Sequence, residues 1–93
     1  MRRFIEKKML TPFADAVLAG EKTFEIRMND EGYQKGDVLK FKVMDSEYFH
    51  NPSHPLNDRE YEITYVLSGW GIQEGYVALG IAPRVVQMKG TEE

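Results

Sequence analysis

Gly20-Glu21-Lys22-Thr23-Phe24-Glu25-Ile26-Arg27 packs two changes of structure and four ionisable groups into eight residues. Gly20 follows a helix-like segment, where a residue free of Cβ can reverse the chain. From Thr23 onward the residues alternate polar and apolar, as a half-buried strand does. Phe24, Ile26 and Met28 share one face, so Thr23, Glu25 and Arg27 share the other. Lys22 stands at the mouth of this strand. A lysine, a glutamate and an arginine at a helix–strand junction describe an anion or polar-ligand site. They describe a surface salt-bridge cluster equally well, and that is the commoner meaning of such a group.

Upstream, Thr11 reads as an N-cap, Pro12 as the first helical residue and Gly20 as the residue just past the end. Phe13, Ala14, Val17 and Leu18 recur at three- and four-residue spacing, and Asp15 sits in the first turns where the helix dipole favours it. The pattern predicts a helix over Pro12–Ala19. Before it, Arg3–Met9 carries Phe4, Ile5 and Met9 among charges and reads as a first strand.

Downstream, Asn29-Asp30-Glu31-Gly32 and Lys35-Gly36-Asp37 carry turn chemistry. A strand begins at Val38, with Leu39, Phe41 and Val43 on one face and Lys40 and Lys42 on the solvated one. Asp45–Asp58 contains Pro52, Pro55 and both histidines and is long for a loop. The prolines prevent a helix from aligning His50 with His54, so a mobile or partner-contacting loop fits better than a metal site. Arg59–Leu67 reads as a strand with Tyr61, Ile63, Tyr65 and Leu67 on one face. Ser68-Gly69-Trp70-Gly71 turns the chain, and Gly75–Ile81 forms the last strand. Pro83 punctuates its end, Val85-Val86 can extend pairing at an edge, and the acidic tail from Lys89 is expected to fray.

Ninety-three residues make one small domain, taken as 1–88 with a tail at 89–93. An apolar share of 42% and an aromatic share of 12% suffice for one core. The absence of cysteine removes disulfide scaffolds and thiolate metal sites. A net charge of −3 argues against nucleic-acid binding by bulk charge, although Arg2, Arg3, Lys7 and Lys8 make the start locally basic. No run approaches the ~20 apolar residues of a membrane span, and no signal peptide is visible. The expectation is a cytoplasmic protein without membrane, metal or cofactor. The element order suggests an α+β domain whose short antiparallel-type strands curl into a sheet or small barrel around one helix.

Gly20-x-Lys22-x-x-Glu25-x-Arg27 resembles the signature of the ASCH domain (activating signal cointegrator homology), a branch of the PUA-like superfamily. The likeness extends to the Phe13…Ala16-Val17-Leu18 helix, Asn29-Asp30, Lys35-Gly36-Asp37-Val38-Leu39, Tyr65-Val66-Leu67 and Gly75-Tyr76-Val77-Ala78-Leu79-Gly80-Ile81. It covers most of residues 7–81 and points to a small subfamily of bacteria and phages. The resemblance implies a small PUA-like β-barrel of about five or six mostly antiparallel strands, with the helix packed at one opening. It also implies an RNA-binding cleft lined by the motif. Related members act as a ribonuclease or as an amidohydrolase on an acetylated nucleoside.

Under that resemblance Lys22 is the candidate contact to a phosphate or nucleobase oxygen, and Arg27 can present a planar fork. Glu25 can hold Arg27, accept from a base amino group or act as a general base; the alternative is a purely structural Glu25–Arg27 pair. Trp70 can stack on a base or plug the barrel, and Tyr76 can pack in the core or offer its hydroxyl to the cleft. Gly20, Gly36 and Asp37 are the structural part of the pattern. The amidohydrolase relatives imply a lysine, a threonine three residues later and a later glutamate. Here Glu25 occupies the threonine position, Thr23 lies on a face that Lys22 does not share, and nothing fixes Glu74 as the later carboxylate. The expected function is an RNA- or nucleotide-binding module. The alternative is a small hydrolase, a ribonuclease or modified-nucleoside amidohydrolase, using Lys22 and Glu25.

Overall fold

A computed structural model describes residues 2–85. The elements run β1 (Phe4–Leu10), α1 (Thr11–Leu18), β2 (Phe24–Met28), β3 (Val38–Met44), a 3-10 turn (Pro55–Asp58), β4 (Glu60–Leu67) and β5 (Tyr76–Arg84). The strands form one sheet in the order β1-β3-β4-β5-β2. The β1–β3 pairing is parallel and the other three are antiparallel. This is an α+β half-barrel with β1 and β2 as its edges. The proposed frayed tail at 89–93 and the pairing of Val86 lie outside the described residues.

Alternation on β3 builds the core as the residue pattern predicts, and β5 alternates onto the same core. Leu39, Phe41 and Val43 meet Ile63, Val77, Leu79 and Ile81 inside the curl, and Ile5 and Met9 close it from β1. Helix α1 lays Ala14 and Val17 onto this cluster, against β1, β3 and the 3-10 turn. Its end is a Schellman turn: the Gly20 amide donates to Val17 (3.0 Å) and the Glu21 amide to Ala16 (2.9 Å), with Gly20 at φ +81°.

The helix begins differently from expectation. Leu10 is the N-cap, and no side chain caps the helix. The Thr11 hydroxyl lies 2.7 Å from an Asp45 carboxylate oxygen and 3.1 Å from the Met44 carbonyl, so it anchors the end of β3.

Strand β4 also departs from simple alternation. Ile63 pairs with Ile81 and Tyr65 with Gly80, which leaves Thr64 as the extra residue of a β-bulge. The bulge shifts the facing of everything after it. Val66 packs on the core, whereas Tyr65, expected beside Tyr61 and Ile63, is exposed. A Cβ at Gly80 would stand 2.9 Å from the Thr64 hydroxyl, so any larger residue opposite the bulge would force Thr64 to shift.

Pro83 lies inside β5, opposite Tyr61, rather than ending it. The Ile81 amide points to Thr23 on the β2 side, and Pro83, two residues on, points the same way beyond the start of β2. No N–H is needed there, so proline is tolerated.

Residues 45–58 carry more order than expected of a mobile loop. Leu56 is fully buried in the core. Asn57 accepts from the Val43 amide and donates to the carbonyls of Asn51 and His54. His54 is buried: its Nδ1 accepts from the Leu56 amide (3.1 Å) and its Nε2 lies 2.7 Å from an Asp15 oxygen, the pattern of the neutral Nε2–H tautomer. Only the tip, with Tyr48 and Phe49, is strongly apolar and exposed.

The link between β2 and β3 is held by Asp37. Its buried carboxylate accepts from Arg3 (2.6 and 3.3 Å) and from the Gln34 amide (3.0 Å). Arg3 also donates to the carbonyls of Glu31 and Gly32. The Arg3 guanidinium holds the Asp37 carboxyl below the usual range, against the opposing effect of burial. Gly36 allows this turn at φ +98°, and its amide donates to Ile63. Gly20 ends the helix, and Gly36 and Asp37 hold the turn that leads into β3.

Candidate functional site

The site lies in the gap between the two edges of the half-barrel. Strand β2 has the expected two faces, but they are turned so that the charged one lies inward. Glu25 is buried and Arg27 half-buried, while Phe24, Ile26 and Met28 are 47%, 54% and 57% exposed. Charges inside are tolerable here because Glu25 is held by Lys22 and Arg27 on its own side and Arg27 bonds the Lys8 carbonyl across the gap.

The Schellman turn delivers Lys22 to this place, its own amide donating to Ala16 (3.1 Å). The ammonium donates to the Phe24 carbonyl (2.7 Å) and to Glu25 Oε1 (2.9 Å). It also stands 5.0 Å from the centre of the Phe24 ring and 5.8 Å from that of Phe13, within cation–π reach. Lys22 is thus not a merely solvated lysine, and two of its three protons are already committed.

Glu25 holds the centre. Its second oxygen, Oε2, is 3.5 Å from Arg27 Nη2, too long and poorly aligned to count as a hydrogen bond. Arg27 Nη2 donates instead to the Lys8 carbonyl on β1 at 2.6 Å. Two buried polar atoms remain without a hydrogen-bond partner at this point, Glu25 Oε2 and Arg27 Nε. The Tyr33 hydroxyl is a third, and burial raises its pKa.

The β1 side contributes Lys7, which the motif did not indicate. It is 3.0 Å from Glu31 and 3.5 Å from Asp30, and the Glu31 contact raises its pKa. A signal was present: Ile5, Lys7 and Met9 alternate onto the core face, and a lysine on that face needs a buried partner.

The gap opens as two clefts that share Ile26. One, of about 340 Å³, is lined by Phe13, Lys22, Phe24, Glu25 and Ile26. The other, of about 290 Å³, is lined by Lys7, Ile26, Arg27, Met28, Asp30 and Tyr76. Tyr76 therefore stands beside Arg27. Trp70 does not plug the barrel: it is 91% exposed, at φ +54°, on the turn between β4 and β5. That turn lies at the far end of β2 from Lys22, since the Asn29 amide bonds to Gly75. Glu74 sits on the same turn, away from Lys22, and Thr23 is exposed. A wider depression of about 470 Å³, between Leu10 and Met44, contains no residue of the motif.

Chemically the gap is balanced. Lys7, Lys22 and Arg27 face Glu25, Asp30 and Glu31, so it holds no surplus of positive charge. What it offers is an acceptor, Glu25, in the cleft walled by Phe13 and Phe24, and a donor, Arg27, in the adjoining one. Among the described residues, no group of three or more His, Asp or Glu side chains is placed to hold a metal ion, and no helix is long and apolar enough to cross a membrane.

The chain matches the profile of a domain of unknown function (DUF3850) over residues 6–81, and it belongs to that family. The match runs from β1 to β5 and contains every residue that lines the two clefts. No curated protein matches the chain.

Proposed function

We propose that this DUF3850 domain is an ASCH-like, PUA-like binding module that takes an RNA base or a nucleotide-like fragment in the gap between β1 and β2. The observation that carries the reading is a pair of buried polar atoms that lack a hydrogen bond, Glu25 Oε2, in ion-pair contact with Arg27, and Arg27 Nε. An unmade hydrogen bond of this kind costs about 1–3 kcal/mol per group, so a ligand edge carrying a donor and an acceptor gains by supplying both. The Phe13 and Phe24 rings beside Lys22 give such a ligand flat walls. Tyr76 and Lys7 extend the surface on the other side of Arg27.

Because the three cations are already neutralised, base or sugar contacts carry more of the binding than phosphate does. The affinity then falls only shallowly with salt. Calorimetric titration with short RNA oligonucleotides and with free nucleosides tests this. Lys22→Ala and Arg27→Ala are expected to weaken binding at least tenfold; unchanged affinity in both, in folded protein, refutes the reading. Turnover of RNA or of an acylated nucleoside that Glu25→Gln abolishes would instead favour a hydrolase using the 2.9 Å Lys22–Glu25 contact. The exposed Thr23 and the distant Glu74 offer that chemistry no further support.

A further inference from the structure

The outer face of the sheet is divided in two. On the β1-β3-β4 side, cross-strand neighbours are charged: Glu6 stands beside Lys40, Lys40 beside Glu60, and Glu62 pairs with Arg2. Where β2 and the first half of β5 meet the end of β4, the cross-strand neighbours on this face are uncharged. Phe24 lies opposite Gly80 and Tyr65, Ile26 opposite Ala78 and Leu67, and Met28 opposite Tyr76. Cross-strand partners share a face, so these side chains form one continuous outward patch. Two features make it: the inverted facing of β2, and the Thr64 bulge that turns Tyr65 and Leu67 outward.

We infer that this patch is the interface through which two copies of the chain associate, face to face. Four of its side chains, Phe24, Ile26, Met28 and Tyr65, are 47–63% exposed. At roughly 200 Å² for a large side chain they supply about 400 Å² of apolar surface. That is at the scale of the largest patch tolerated on a monomer, and about half of the ~800 Å² per partner of a standard interface. The half-buried Leu67, Tyr76 and Ala78 and the surrounding polar rim supply the rest. An uncharged patch is complementary to itself across a two-fold axis. Its neighbouring cation, Lys22, is already bonded to Glu25 and to the Phe24 carbonyl, which makes a protein surface a better occupant than nucleic acid.

Packing by faces rather than edges follows from the state of the β2 edge. The Phe24 carbonyl is occupied by the Lys22 ammonium and the Met28 carbonyl by the Asp30 amide, while Arg27 crosses to β1. An incoming strand would have to displace all three.

Sedimentation velocity on the full chain, over a wide concentration range, tests the inference. The expected result is a concentration-dependent species of twice the monomer mass. Tyr65→Glu, on a largely exposed side chain, returns it to the monomer with an unchanged circular dichroism spectrum, and Ile26→Lys does the same. Lys40→Ala, on the charged half, leaves the dimer intact. A monomer at all concentrations overturns the inference, as does a dimer that survives both patch variants. A full chain that stays monomeric but dimerises when ended after Val85 would show that its own last residues cover the patch, and would also overturn it. Loss of RNA affinity in Tyr65→Glu without any change in mass would assign the patch to nucleic acid instead.

Discussion

Arg27 on β2 donates a 2.6 Å hydrogen bond to the main-chain carbonyl of Lys8 on β1, joining two edge strands that share no backbone ladder. The geometry follows from strand alternation. The Arg3 carbonyl accepts from Val38, so odd residues of β1 turn their backbone groups toward β3 and the even ones, Lys8 among them, turn theirs to the gap. A half-barrel leaves such carbonyls unpaired, and a guanidinium long enough to cross the gap satisfies one. Removing it should loosen both edges together.

Arg27→Ala is expected to cost about 1.5–3 kcal/mol, the range for a hydrogen bond to a charged group. Arg27→Lys should recover only part of it, because a lysine cannot reach Lys8 and face Glu25 with one planar fork. Urea denaturation measures the loss, and amide exchange should quicken in β1 and β2 before β3–β5. A cost below about 0.5 kcal/mol would mean that the crossing contact does not hold the edges.

Lys22 and Glu25 should behave as a buried pair. Their side chains are 17% and 8% exposed at 2.9 Å. A double-mutant cycle with Lys22→Met and Glu25→Gln should return a coupling of about 1–2 kcal/mol, above the ~0.5 kcal/mol of typical exposed pairs. A coupling indistinguishable from zero would reduce the pair to surface decoration.

Stability should fall at both extremes of pH, for separate reasons. The Asp37 carboxyl is held down by Arg3, so the folded state binds its proton less readily than the unfolded chain. Its contribution is complete above the ordinary aspartate value of about 4 and is lost as pH drops through the lower folded value. Tyr33 and Tyr61 are pushed up mainly by burial and Lys7 by Glu31. Their contributions are complete below about pH 10 and are lost as pH rises through the folded values. Chemical denaturation across pH should show both limbs, and Asp37→Asn should flatten the acid one. An acid limb unchanged in Asp37→Asn would assign it to other carboxylates.

Within residues 45–58 two substitutions should differ sharply. Leu56→Ala removes a fully buried side chain and should cost about 2–5 kcal/mol, whereas Tyr48→Ala, on an 81% exposed residue, should stay within about 0.5 kcal/mol. Thermal or urea unfolding decides it. Equal effects would mean that the 3-10 turn is not part of the core.

Much of the architecture was legible in local pattern. Gly20 ended the helix because only a residue tolerant of positive φ suits the Schellman position, and the apolar period of β3 named its core face. The segment 45–58 was not legible in the same way. Its order comes from Leu56, Asn57 and His54 reaching partners that are distant in sequence, and composition shows prolines and asparagines without showing what they touch. The Thr64 bulge was hidden for a related reason, since an extra residue is defined only against its partner strand.

The sequence by itself determined that Lys22, Glu25 and Arg27 would come together at a helix–strand junction, because helix end, strand start and period 2 are local properties. Only the tertiary structure decided which way that strand would face. Alternation names two faces but not which is inside; that depends on what stands opposite, and here the Lys8 carbonyl and a second set of charges on β1 and its neighbouring loop make the interior polar. The same choice turned Phe24, Ile26 and Met28 outward, so one register decision created both the charged gap and the apolar patch.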